Sequence, residues 1–159
     1  MEAATWSPTT VINKTALDWV EELKNDYRSH SFFQLVWLLQ NMHPEAPDIG
    51  SAGPFSKEAI RFRANASLAF PISDNDEIKA DKDFGRFLMT VNFIGLYGPA
   101  SPIPTHFSED IVSSDPETNH VRHFLDIFHH RFISFFYRAW EKYRYFFQYK
   151  KGGQDYFSN

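Results

Sequence analysis

The chain of 159 residues contains no cysteine, which excludes a disulfide framework and any thiolate metal site and is compatible with a reducing compartment. Long hydrophobic runs are missing too. The longest largely apolar stretch, FFQLVWLL, falls far short of the roughly 20 residues a bilayer-spanning helix needs. The opening MEAATWSPTTVINK lacks the basic-then-apolar order of a secretion signal, so the expectation is a cytoplasmic chain without direct membrane insertion. Positive charge is not in excess: 16 Lys and Arg against 20 Asp and Glu leave a net charge of -4. That disfavours a general grip on nucleic-acid phosphates, which depends on Lys and Arg neutralising the backbone.

Catalytic signatures are absent as well. The sequence holds no G-x-S-x-G, no P-loop and no G-x-G-x-x-G, so its isolated serines and glycines have no catalytic context. Asp74 and Asp76 begin like a calcium loop, but Lys79 stands where glycine is required and Gly85 where the closing glutamate belongs. No internal repeat or low-complexity tract is present.

What the chain does have is aromatic mass. With 43% hydrophobic and 18% aromatic residues, a single domain with one core is expected, together with aromatic surface that completes its burial against a partner. The N-terminal 1–14 reads as flexible. Leu17, Val20, Leu23 and Tyr27 recur at helical intervals after a capping Thr15, and Ser31 opens a second helix over FFQLVWLLQNM that is apolar almost all round. Pro44 and Pro47 stop it. Ile60, Phe62 and Ala64 alternate with Arg61, Arg63 and Asn65 as a strand with one wet face requires. The run RFLMTVNFIGLYG reads as a buried strand, with SDNDEIKADKDFG as the acidic loop between the two. A turn-rich bend, GLYGPASPIP, leads to a short helix in PTHFSEDIV. Asp115 before Pro116 then caps a long helix reaching about Gln148. The fold class expected is α+β, with helices at both ends around a small, mainly antiparallel sheet.

On the long helix Phe124, Phe128, Phe132, Phe135 or Phe136, Trp140, Tyr143 and Phe147 recur every three or four residues, one continuous stripe expected to form core and protein interface. Single-stranded nucleic-acid sites mix aromatics and cations in one groove, whereas here Arg138, Glu141, Lys142 and Arg144 fall largely outside the stripe. His123, Asp126 and His130 share a helical face at spacings that suit zinc or iron, with His129 pointing off it. A metal-dependent hydrolase built on those three is the alternative reading. It lacks both a further ligand from elsewhere and a glutamate base of the H-E-x-x-H kind.

Four strings in this order, SFFQLVWLL, IRFRANASLAFP, TVNFIGLYGPASPIPTHFSE and FLDIFHHRFISFFYRAWEKYR, closely resemble the TssG family, also called ImpH or VasB, of the type VI secretion baseplate. The resemblance runs from about Phe32 to Tyr145. Trp37 and His129 depart from it, standing where a basic residue and an asparagine are expected. Family members run beyond this length, so 1–159 is expected to be one N-terminal domain of a longer chain. The resemblance implies a non-enzymatic scaffold without cofactors. It would join two copies of TssF, TssE and TssK trimers in a wedge around the VgrG spike, on the cytoplasmic side of the inner membrane. Arg61, Arg63, Arg138, Trp140, Lys142, Tyr143 and Tyr145 are the candidate partner-interface residues.

Overall fold

The computed structural model describes residues 27–54, 57–81, 86–98, 101–115 and 118–144. The expected flexible 1–14, nearly all of the first expected helix, and Tyr145 and Phe147 lie outside these. Among the described residues the order is α1 (Phe32–Asn41), β1 (Ile60–Ala64), β2 (Asn75–Asp81), β3 (Arg86–Val91), α2 (Thr105–Ser113) and α3 (His120–Glu141). The class is α+β, as expected, with helices flanking a three-stranded sheet of order β1-β3-β2.

α1 starts where a capping box places it. Ser31 Oγ accepts from Gln34 N at 3.4 Å and Gln34 Oε1 accepts from Ser31 N at 3.2 Å, which satisfies two donors that a helix start leaves without partners. Phe32, Leu35, Val36 and Leu39 are buried, while Trp37 on the opposite side is exposed. The helix is therefore one-sided rather than apolar all round.

The sheet is mixed. β1 runs parallel to β3 and β2 antiparallel to it. β2 occupies the segment expected to be an acidic loop, and a register shift between Asn75 and Glu77 explains why its pattern hides it. The bulge breaks the period-two alternation that reveals a strand, leaving Asn75 and Ile78 as the buried positions. Pairing registers sort the sheet into two faces. Phe62, Met89 and Ile78 form one cross-strand row, and Ile60, Phe87 and Ala80 the next; with α1, Ile133 and Tyr137 they make the main core. On the other face lie the rows Arg61, Leu88, Lys79 and Arg63, Thr90, Glu77.

Asparagines in the RFRAN and VNF strings lock the chain where it leaves the sheet. Asn65 Nδ2 donates to Asn92 Oδ1 at 2.9 Å, and Asn92 Nδ2 donates to Ser73 O at 2.8 Å. The turn after β3 is conformationally demanding. Ile94 has φ 53°, a rare value for a β-branched residue. A Cβ on Gly95 would sit 2.5 Å from Tyr97 O, and one on Gly98, at φ 99°, 2.7 Å from Asn65 O. Only glycine fits at either position, and this tight path turns Tyr97 inward to pack with Ala64 and Ile111 of α2.

α3 begins later than expected. Its cap is Asn119, whose Oδ1 accepts from Arg122 N at 3.0 Å, while Asp115 O accepts from Thr118 N and Asn119 N in the preceding turn. The helix also ends at Glu141, with Lys142 as its cap, rather than near Gln148.

Candidate functional site

β1 is an outer strand, so its outward-facing backbone groups need partners other than a strand. α3 packs along it and, with the turn after β3, covers that edge. Phe62 N donates to His130 Nδ1 at 3.3 Å, and Tyr97 Oη, from the turn, lies 3.1 Å from Ala64 O. A helix face that serves a strand edge must be polar. Accordingly the buried face of α3 is Asp126, His129, His130, Ile133, Ser134 and Tyr137, not the aromatic stripe.

Asp126 is the knot of this seam. Its Oδ1 accepts from Tyr97 Oη at 2.5 Å and from His129 Nδ1 at 3.2 Å, and its Oδ2 accepts from Arg63 Nε at 2.7 Å. Burial alone would raise its pKa, but the His129 and Tyr97 hydrogen bonds and the Arg63 charge outweigh that and hold the carboxyl below its ordinary value. Burial, reinforced by the Asp126 charge, pushes the Tyr97 phenol well above its own. His129 Nε2 accepts from Leu96 N at 2.7 Å, so the ring proton sits on Nδ1, facing Asp126. His130 has the opposite tautomer. Its Nδ1 accepts from Phe62, and its Nε2 lies 3.1 Å from Oε2 of the buried Glu58, which also has Arg131 Nη1 at 3.7 Å.

These bonds bear on the metal alternative. Asp126 has its lone pairs taken by three donors, both buried histidines bind backbone N–H groups, and His123 is exposed on a cleft that Asp126 also lines. Among the described residues no group of three or more His, Asp or Glu side chains is arranged to hold a metal ion. His129, expected to point away, is fully buried and central.

The aromatic stripe is real but faces outward. Phe124, Phe128, Phe132 and Phe135 are 59, 42, 44 and 54% exposed, and Val121 and Ile127 extend the same apolar ridge. Phe124 and Phe128 meet edge to face at 5.2 Å, and Phe128 and Phe132 lie 6.5 Å apart. The assignment of this stripe to the intramolecular core is thus corrected. Only its C-terminal part reaches the core, where Trp140 stacks on Phe33 at 4.4 Å and Phe136 lies 5.5 Å from the same ring.

The candidate interface residues divide. Arg61 is exposed and lines a small recess with Ile127 and Arg131, beside the ridge. Arg63, expected on a wet face, is largely covered and tied to Asp126. Arg138 Nη1 donates to Gly50 O at 2.6 Å and so holds the loop after α1. Trp140 is half-buried. Lys142 and Tyr143 are exposed, the ammonium 6.0 Å from the ring centroid. Tyr97 was not legible as a functional residue, although the glycines bracketing it in GLYG mark the tight turn that aims it.

Residues 26–159 match the family model described as type VI secretion, TssG. No curated protein and no solved structure matches the chain.

Proposed function

We propose that this chain, which belongs to the type VI secretion TssG family, works by docking rather than catalysis, as a structural wedge subunit of the baseplate. Membership of the family makes it a type VI secretion component. The finer reading assigns it two copies of TssF, TssE and TssK trimers as partners and the VgrG spike as a neighbour, at the cytoplasmic face of the inner membrane. Among the described residues no helix is long and apolar enough to cross a membrane.

The observation that carries this reading is the exposed ridge of α3. Six large apolar side chains, Val121, Phe124, Ile127, Phe128, Phe132 and Phe135, stand in solvent on one helix, and contiguous apolar surface of this kind marks a docking site. Aromatic anchors with charged residues at the rim are the composition of an interface centre. Arg61 borders the ridge, and Lys142 and Tyr143 continue from its C-terminal end as further contacts, with Tyr145, outside the described residues, a further candidate. Arg63, Arg138 and Trp140 support the surface from within the chain. Co-expression with TssF and TssK followed by size-exclusion chromatography tests the assignment: the chain should co-elute with TssF and self-associate when alone. A well-behaved monomer that elutes apart from both would overturn it.

A further inference from the structure

The loop between β1 and β2 carries the most exposed large apolar side chains among the described residues. Phe70 and Ile72 are 91 and 92% exposed and Leu68 is 42% exposed, so the first two meet almost nothing of their own chain. Apolar side chains clustered in solvent mark a contact that a partner completes. The base of this loop is nonetheless tightly fixed. Asn92 bonds Asn65 through its Oδ1 and Ser73 O through its Nδ2, so one side chain ties both ends together. Asn65 N donates to Val91 O and Asn92 N to Asp74 O, each at 2.9 Å. Within the loop Asn65 Oδ1 accepts from Ser67 N at 2.9 Å and Ser67 Oγ from Ala69 N at 3.1 Å, while Pro71 restricts its own backbone and that of Phe70. An apolar tip on so constrained a base is pre-organised, and covering it costs little ordering entropy. We propose that Leu68, Phe70 and Ile72 form an anchor that inserts into an apolar pocket, rimmed by Lys or Arg, on a different protein.

Area and charge select that partner. The three side chains offer roughly 400 Å² of apolar surface, about half of one partner's share in a standard interface of about 800 Å² per side. Laid flat against a second copy, that is too little for a stable dimer. Enclosed in a pocket, it is the size of a hot-spot anchor. A two-fold contact would also set the patch against itself and bring like charges together, because Asp74 and Asp76 follow the loop and take part in no ion pair among the described residues. Residues 64–78 include no Lys or Arg, the side chains with which membrane-surface segments hold anionic headgroups. Arg28 lies on the turn that Asn75 Nδ2 reaches at His30 O, but its guanidinium is over the Tyr27 ring at 5.6 Å. The two aspartates instead call for cations at the rim of the partner's pocket.

Site-specific photo-crosslinking of the full chain, in cells carrying the whole type VI secretion system, tests this contact separately from the α3 ridge. With p-benzoylphenylalanine in place of Phe70, irradiation should give one protein adduct. Mass spectrometry should locate the link in an apolar segment of that protein with Lys or Arg beside it. Ile72→Asp should lower the adduct at least about tenfold, as loss of an anchor residue does. The Phe70→Asp, Ile72→Asp double variant should keep the parent's Tm, since neither residue belongs to a core cluster. The same crosslinker at Lys57, also exposed, should give no such adduct. An adduct with a protein other than TssF, TssE or TssK would support the anchor while counting against the wedge assignment. No adduct above the Lys57 level, a link to a second copy of this chain or to a polar segment, an adduct unchanged by Ile72→Asp, or binding to vesicles of phosphatidylglycerol and phosphatidylethanolamine that the double variant loses would each overturn the proposal. Each of those results leaves docking through α3 standing.

Discussion

Asp126→Ala should be among the most damaging single substitutions in this domain, because three donors converge on one buried carboxylate. Tyr97 Oη, Arg63 Nε and His129 Nδ1 lie 2.5, 2.7 and 3.2 Å from its oxygens. Hydrogen bonds to a charged group contribute about 1.5–3 kcal/mol each, and breaking a buried pair from one side costs about 3–5 kcal/mol. Arg63 keeps 24% of its side chain exposed and can turn into the cleft, which places the cost near the lower end, about 3 kcal/mol. Against a typical domain stability of about 5–15 kcal/mol that is a large fraction, equivalent to a fall in Tm of roughly 10 °C for a chain of this size. Urea unfolding followed by circular dichroism should show the midpoint falling with an unchanged slope. The pH dependence supplies an independent check. Asp126 is held below its ordinary pKa, so between the folded value and about 3.9 the unfolded chain binds the extra proton and stability rises with pH. The contribution is fully present above that window and lost as pH falls through the folded value. Asp126→Asn should therefore be less stable than the parent at neutral pH, and the gap should close in acid. A loss below about 1 kcal/mol for Asp126→Ala, or a parent-to-Asn gap that does not change on acidification, would refute the reasoning.

Trp140→Ala should cost about 2 kcal/mol, below the range for a fully buried aromatic, since the ring is only half-buried although stacked 4.4 Å from Phe33; thermal unfolding of soluble protein measures this. Gly95→Ala should be more disruptive than its size suggests, because the new methyl meets Tyr97 O at 2.5 Å, and the displaced turn should also loosen Tyr97. Hydrogen exchange at the Leu96 amide, bonded to His129 Nε2 at 2.7 Å, should accelerate in that variant by more than at amides of α1.

Much of the fold was legible because local signals agreed with it. The Ser31 cap, the alternation from Ile60 to Ala64 and the short helix after Pro104 all lie where their patterns put them. β2 was hidden by a bulge that breaks its period and by charges at Asp76, Glu77 and Lys79 that suit an edge strand as well as a loop. The deeper misreading concerned α3. Periodicity shows which residues share a face but not which face is buried, and hydrophobicity alone assigns the aromatic stripe to the core. Here the neighbour is an outer strand with unsatisfied backbone groups, so His130, with Tyr97 from the turn, is drawn inward and Asp126 and His129 follow. That outcome depends on where β1 sits in the sheet, which no local window contains. Arg63 keeps its expected face but is covered there by the same event, since Asp126 arrives opposite it.

The most direct test of the outward-facing ridge is co-elution of the Phe124→Asp, Phe128→Asp double variant with TssF on size-exclusion chromatography, run beside the parent. Both rings are exposed and contact each other at 5.2 Å, so the variant should remain soluble with an unaltered circular-dichroism spectrum, self-associate less, and no longer co-elute. An unfolded or insoluble variant would mean the stripe is core, and co-elution equal to the parent's would mean the ridge is not the docking surface.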